Sequence, residues 1–171
     1  VSAQNETADW RQVSSGGGVE PRWDHTLSAL PGTGELLLAF GRNANGSPLG
    51  DTWVADRSLG EWELVESSGP SPRFGHAVAT DSERGKVFLF GGEADGSTFF
   101  ADLWSFDVES RAWELVHDGA GGPAPRYGTA LVFDGEASLF LLHGFTFEGR
   151  FDDVWRFNLN ESTWEQLQVT S

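Results

Sequence analysis

The sequence has no cysteine and no methionine. Without cysteine there is no disulfide, no thiol nucleophile and no zinc–thiolate site. The want of any methionine, an initiator included, leads to the expectation that the chain is a processed or excised piece. Basic residues are scarce. Eleven Lys and Arg stand against 26 Asp and Glu, a formal charge of −15. Phosphate recognition draws on clustered Lys and Arg, so this balance argues against nucleic acid and anionic membranes as partners. No apolar run is long enough to cross a bilayer as a helix, which argues against direct membrane insertion. What is plentiful is Trp (8), Phe (13) and Gly (22). A chain of 171 residues with that aromatic content can build one domain around a sizeable core, so its acidity does not mark disorder.

Seven of the eight tryptophans fall on a lattice. Trp53, Trp104 and Trp155 are 51 residues apart, as are Trp62, Trp113 and Trp164, each nine after its partner. Trp10 opens the same kind of segment 52 before Trp62. The surrounding text repeats too, as Asp-x-Trp at Asp51, Asp102 and Asp153 and as Pro-Arg at Arg22, Arg73 and Arg126. A fixed period near 50 residues means an array of like supersecondary units.

Each unit reads as four short strands. In the middle one these are His76 to Thr80, Lys86 to Phe90, Leu103 to Val108 and Trp113 to Val116. The alternation of Trp104, Phe106 and Val108 gives the third strand its period of two. Residues nine apart across an even, unbulged hairpin lie opposite each other, so Trp104 and Trp113 are expected as a directly facing cross-strand pair. The tryptophans as a set are expected as core and wedge filler between sheets.

At these residues the chain resembles the kelch-repeat family, whose unit has a paired glycine after the second strand, an aromatic in the third and a Trp in the fourth. Gly91-Gly92 matches in full. The outer units carry Phe40-Gly41 and His143-Gly144, and the missing first glycine is expected to loosen those turns. The resemblance implies an all-β fold: a kelch-type β-propeller arc of three four-stranded antiparallel blades plus one extra N-terminal outer strand. Residues 1–171 form a single kelch-repeat domain. Within it, 10–14 is the outer strand of a preceding blade, 21–66 blade 1, 72–117 blade 2 and 125–168 blade 3. Such an arc leaves an open face at each end, so a larger parent propeller, self-association or a partner is expected to cover them.

The residues point to little chemistry. His25 and His76 occupy one repeated slot and are read as structural, while His117 and His143 stand alone. Glu148 and Asp152 have the spacing of the first two iron ligands of the plant specifier proteins that the family includes, but Arg156 stands where the third ligand would be. The turns at Asn43 to Ser47 and Glu93 to Ser97 are read as turns rather than calcium loops. No catalytic set, metal site or cofactor is therefore assigned.

Three glycosylation sequons, at Asn5, Asn45 and Asn160, together with a small-residue N-terminus, favour a secreted or lumenal setting. The expected function is a non-enzymatic interaction or structural module with a protein partner, or a glycan, or its own copies. The alternative is a propeller enzyme acting on a sugar-like molecule, as in the kelch-type mutarotases.

Recurrence marks Arg22, Arg73 and Arg126 as structural, bonding to backbone carbonyls. The longer loops all emerge on one side of the blades, and Phe99, Phe100, Phe145, Phe147 and Phe151 on them are the candidate binding residues, Phe145 and Phe147 first.

Overall fold

The computed structural model describes residue 12, residues 18–65 and residues 67–168. Asn5, Trp10 and most of the expected extra strand lie outside the described residues. The rest is all β, with three antiparallel four-stranded sheets whose strands lie side by side in chain order. Blade 1 comprises Thr26–Ala29, Leu36–Ala39, Thr52–Ala55 and Trp62–Leu64. Blade 2 comprises Ala77–Asp81, Lys86–Phe90, Leu103–Asp107 and Ala112–His117. Blade 3 comprises Ala130–Phe133, Ser138–Leu142, Val154–Asn158 and Thr163–Leu167.

The two tryptophans of a unit do not face each other. Trp113 lies opposite Phe106 and Trp104 opposite Leu115. The same offset recurs in blades 1 and 3, where Trp62 faces Ala55 and Trp164 faces Phe157. The cause is the turn. In blade 2 the hairpin closes on Asp107 and Ala112, with Arg111 in the left-handed region at φ 51°, which moves the register by two residues. An even shift keeps both tryptophans on one face.

That face packs on the preceding blade. Val87, Leu89, Phe106 and Trp113 of blade 2 form one core with Leu37, Phe40 and Val54 of blade 1. The opposite face of blade 2, with Phe88, Phe90 and Leu103, packs on Leu131, Leu139, Leu141 and Phe157 of blade 3. Trp113 reaches across to Phe40, ring centres 5.6 Å apart, and its Nε1 donates to Thr52 Oγ1 at 3.0 Å. Trp164 makes the equivalent crossing to Phe90. Its buried Nε1 has no partner, because Leu103 occupies the place of Thr52.

The turn after the second strand is not loosened where the first glycine is missing. Phe40 and His143 adopt φ 57°, close to the 68° of Gly91, so the turn keeps its shape and carries the left-handed strain instead. Phe40 offsets that strain by burying its ring against Trp113 and His76. The second glycine is needed at Gly92. It sits at φ 106°, and a Cβ there would lie 2.9 Å from the Phe74 carbonyl oxygen.

Each blade is tied by one repeated polar link. Arg73 is fully buried. It donates through Nε to Ser71 O, through Nη1 to Gly91 O, and through both Nη atoms to the Asp102 carboxylate at 2.6 and 2.9 Å. The same carboxylate accepts from Trp104 Nε1 at 2.7 Å. Arg22, Asp51 and Trp53 repeat the arrangement in blade 1, and Arg126, Asp153 and Trp155 in blade 3. The Arg73 and Arg126 carbonyls accept from Gly41 and Gly92 N–H of the preceding blade, so the link also fixes the blade-to-blade step.

Substituting Arg73 with Met removes a buried partner from Asp102 and from Gly91 O, and breaking a buried pair this way costs about 3–5 kcal/mol. Urea unfolding should show that loss, and Lys at the same position should restore only part of it because it cannot bond the carboxylate bidentately.

Acid should weaken the fold in two stages. Burial foremost, with Arg73 nearby, drives His76 down to about 3, and burial lowers His25 as well. The Arg126 hydrogen bonds hold Asp153 below its ordinary value; at Asp51 burial pushes upward, but the bonds from Arg22 and Trp53 outweigh it. All four groups have folded pKa values below their unfolded ones. Their stabilisation is therefore present above the unfolded values and lost as pH falls. The histidine part goes below about pH 6.5 and the carboxylate part below about pH 4. Melting temperature followed from pH 7 to 3 should fall in those two windows, and a His76→Gln variant should flatten the first of them.

Candidate functional site

The long loops of the three blades converge on one side, and the residue after each buried arginine anchors them. Trp23 pairs with Arg42 in a short ribbon. Phe74 bridges Glu93, and Tyr127 bridges Phe145. Each unit thus sets two side chains at the same level, one after Pro-Arg and one after the second glycine of the turn. Backbone strand geometry fixes their places while leaving their chemistry free to differ between blades.

Between blades 1 and 2 the result is a charged aromatic floor. The Arg42 guanidinium lies 4.3 Å from the Phe74 ring centre and 5.4 Å from that of Trp23, and it pairs with Asp24 at 2.6 Å. Its buried Nε has no hydrogen-bond partner. Glu93 is buried beside it. Burial pushes the Glu93 carboxyl up, against the bond from Gly96 N–H and the pull of Arg42. Arg42, Phe74 and Glu93, with Ser47, Pro48 and Asp95, line a depression of about 400 Å³.

Between blades 2 and 3 the floor is apolar. Phe99 stacks on Tyr127 at 5.7 Å, Phe145 lies 4.1 Å from Tyr127, and Phe147 meets Phe99 edge-on at 5.4 Å. Gly96, Ser97, Phe99, Thr146, Phe147 and Glu148 line a second depression of about 360 Å³. The two depressions share Gly96 and form a continuous strip.

The five loop phenylalanines therefore have different surroundings. Phe100 roofs Arg73 at 3.9 Å and Phe151 roofs Arg126 at 3.8 Å, a packing role that needs no ligand. Phe145 is part of the scaffold, since its ring closes over Gly128 and Tyr127. Phe99 and Phe147 line the second depression, and Phe147 is 64% exposed. Trp23, Arg42, Phe74 and Tyr127 were not singled out from the sequence, and Glu93 entered only as the start of a turn. The signal was there in Trp23, the one tryptophan off the lattice, which is 42% exposed.

The histidines are dispersed. His76 Nε2 shares a hydrogen bond with Thr26 Oγ1 at 2.8 Å across the first blade boundary. His117 packs on Phe157, and the His143 carbonyl accepts from Arg126. Among the described residues no three His, Asp or Glu side chains gather as metal ligands. Asn45 and Asn160 stand exposed on turns.

Comparison with known proteins agrees with this architecture. The family model for the KLHDC2/KLHL20/DRC7 Kelch-repeats domain matches residues 25–171. The chain is 28% identical to Adagio-like protein 3 of Oryza sativa subsp. japonica over 99% of its own length and 28% of that protein's. It is 32% identical to an F-box/kelch-repeat protein of Arabidopsis thaliana over 79% of its own length and 31% of that protein's. It is 30% identical to human multiple epidermal growth factor-like domains protein 8 over 87% of its length and 5% of that protein's. The chain thus spans less than a third of these relatives. Among solved structures it is similar to that of YjhT, with a TM-score of 0.73 and 19% identity over 88% of this chain and 53% of that one.

Phe147→Ser should leave the melting temperature unchanged, because the ring is mostly in solvent. Phe145→Ser should lower it by an amount corresponding to about 1–2 kcal/mol, less than at a fully packed site because Phe145 is 36% exposed. Parallel thermal melts of the two variants check the distinction.

Proposed function

This chain belongs to the kelch-repeat family, and we propose that it is a non-enzymatic interaction module that holds a protein partner on its long-loop face. The observation that carries this reading is the second depression. An aromatic ring as exposed as Phe147, seated on a rigid cluster of three more, resembles the anchors that dominate protein interfaces. The adjoining Arg42–Glu93 floor supplies the hydrogen-bonding and charged groups that orient a bound segment. Glu93, Asp95 and Glu148 around the strip, with the net charge of −15, favour a partner segment that is basic around an apolar side chain. A secreted or lumenal setting fits the exposed sequons at Asn45 and Asn160.

Site-specific crosslinking tests the face. A photo-reactive residue at position 147 should give discrete protein conjugates in the native host, and the Phe99→Ser change should abolish them. The same probe at Ser82, on the short-turn side, should give none. Conjugates from position 82 alone would overturn the choice of face, and turnover of a small sugar by the purified chain would overturn the non-enzymatic reading.

A further inference from the structure

The residue after the second turn glycine has the same backbone place in every unit and a different side chain in each. It is Arg42 in blade 1, Glu93 in blade 2 and Phe145 in blade 3. The ring of Phe145 fits that place against Tyr127, 4.1 Å away, so the fold does not call for a carboxylate there. Glu93 is nevertheless only 4% exposed. Among the described residues it makes no ion pair, since Arg42 is held at 2.6 Å by Asp24 and lies over Phe74. One bond from Gly96 N–H and the pull of Arg42 are all that is set against its burial. A buried carboxylate without a salt bridge is costly. Glu93 lines the first depression, and Asp95 beside it adds a second negative charge.

Resting on the protein-partner reading of the long-loop face, we propose that Glu93 selects the partner. A lysine or arginine of the bound segment pairs with its carboxylate while a neighbouring apolar side chain covers Phe147. Gly96 borders both depressions, so one short segment reaches both groups. Three carboxylates, Asp24, Glu93 and Asp95, stand against the one guanidinium of Arg42, and Glu148 adds a fourth beside Phe147. An incoming cation is therefore drawn to the strip, and an acidic segment is repelled. The pair forms in a place already largely out of water, where charges interact more strongly than at the surface. Pairing also makes recognition depend on pH. Burial raises the Glu93 carboxyl above its ordinary value, whereas bonds from Ser97 and Thr98 hold Asp95 below its own. The other titratable groups near Glu93 are Asp24 and Tyr127. As pH falls, Glu93 takes up its proton before Asp95 does, and the bound cation loses its counter-charge.

Random peptides displayed on phage and selected against the purified chain at pH 7 should share a Lys or Arg close to an aromatic or aliphatic residue. A synthetic peptide of the selected sequence, followed by fluorescence anisotropy, should bind Glu93→Gln at least about tenfold more weakly than the parent chain. Replacing the basic residue of the peptide with norleucine should weaken binding to the parent equally, a check that does not depend on how the variant folds. Binding to the parent should weaken from pH 7 to pH 5, and binding to Glu93→Gln should not. Glu83→Gln, on the short-turn side, should bind as the parent does. Selected peptides without a basic residue overturn the proposal, as does a basic peptide that Glu93→Gln binds unchanged. If such peptides still lose affinity for Phe147→Ser, the long-loop face stands and only the role of Glu93 falls. Peptides indifferent to Phe147→Ser, or a chain that selects no peptide, overturn both.

Discussion

A buried guanidinium held bidentately by a carboxylate, with a tryptophan indole on the same carboxylate, is the constraint on which the rest of the structure depends. It occurs once per blade, at Arg22, Arg73 and Arg126. The arginine spans from the entry of the first strand to the carbonyl that ends the second and the aspartate that begins the third. Three strands are therefore registered at one end by one side chain. A buried charge survives there because each guanidinium nitrogen has an acceptor, with two of the bonds going to the carboxylate. The stacked rings of Phe100 and Phe151 exclude water from two of these sites and add cation–π attraction.

The blade step follows from the same element. Because the arginine carbonyl accepts from the glycine of the preceding turn, each blade is hung from its neighbour near the axis. Tryptophans of the fourth strand then wedge the sheets apart further out. Polar links at the hub set direction, and apolar filler at the rim sets spacing. Side-chain variety is left to the residue after each buried arginine and the residue after each turn glycine. These change from Trp23 and Arg42 to Phe74 and Glu93 to Tyr127 and Phe145, while the backbone that carries them repeats.

Most of the fold was legible in the chain because the period is marked by rare residues. A tryptophan every 51 residues on two tracks, with Asp-x-Trp and Pro-Arg in phase, admits few architectures besides a propeller. The register was not legible. A facing pair and a pair offset by two residues have the same face parity, and the choice lay in a left-handed Arg111 that no spacing reveals. The outer turns were misjudged for a related reason. Phe40 accepts a glycine-like conformation because its ring gains a buried place, which is a gain from packing that local propensity cannot show. Arg42 was overlooked, and Glu93 was read only as part of a turn, because each taken singly is one charged residue in a loop.

The sequence by itself determined the class, the four-stranded unit and the recurrence of arginine, aspartate and tryptophan, since a repeated unit writes its own period into the chain. Only the tertiary structure decided what those residues are to one another. The carboxylate that neutralises Arg73 lies 29 positions away, beyond any local signal, and Phe100 is packing while Phe147 is surface although both are loop phenylalanines. The difference arises because burial belongs to the assembled blades: whether a side chain meets water or a neighbouring sheet is settled by contacts between units, which no single unit encodes.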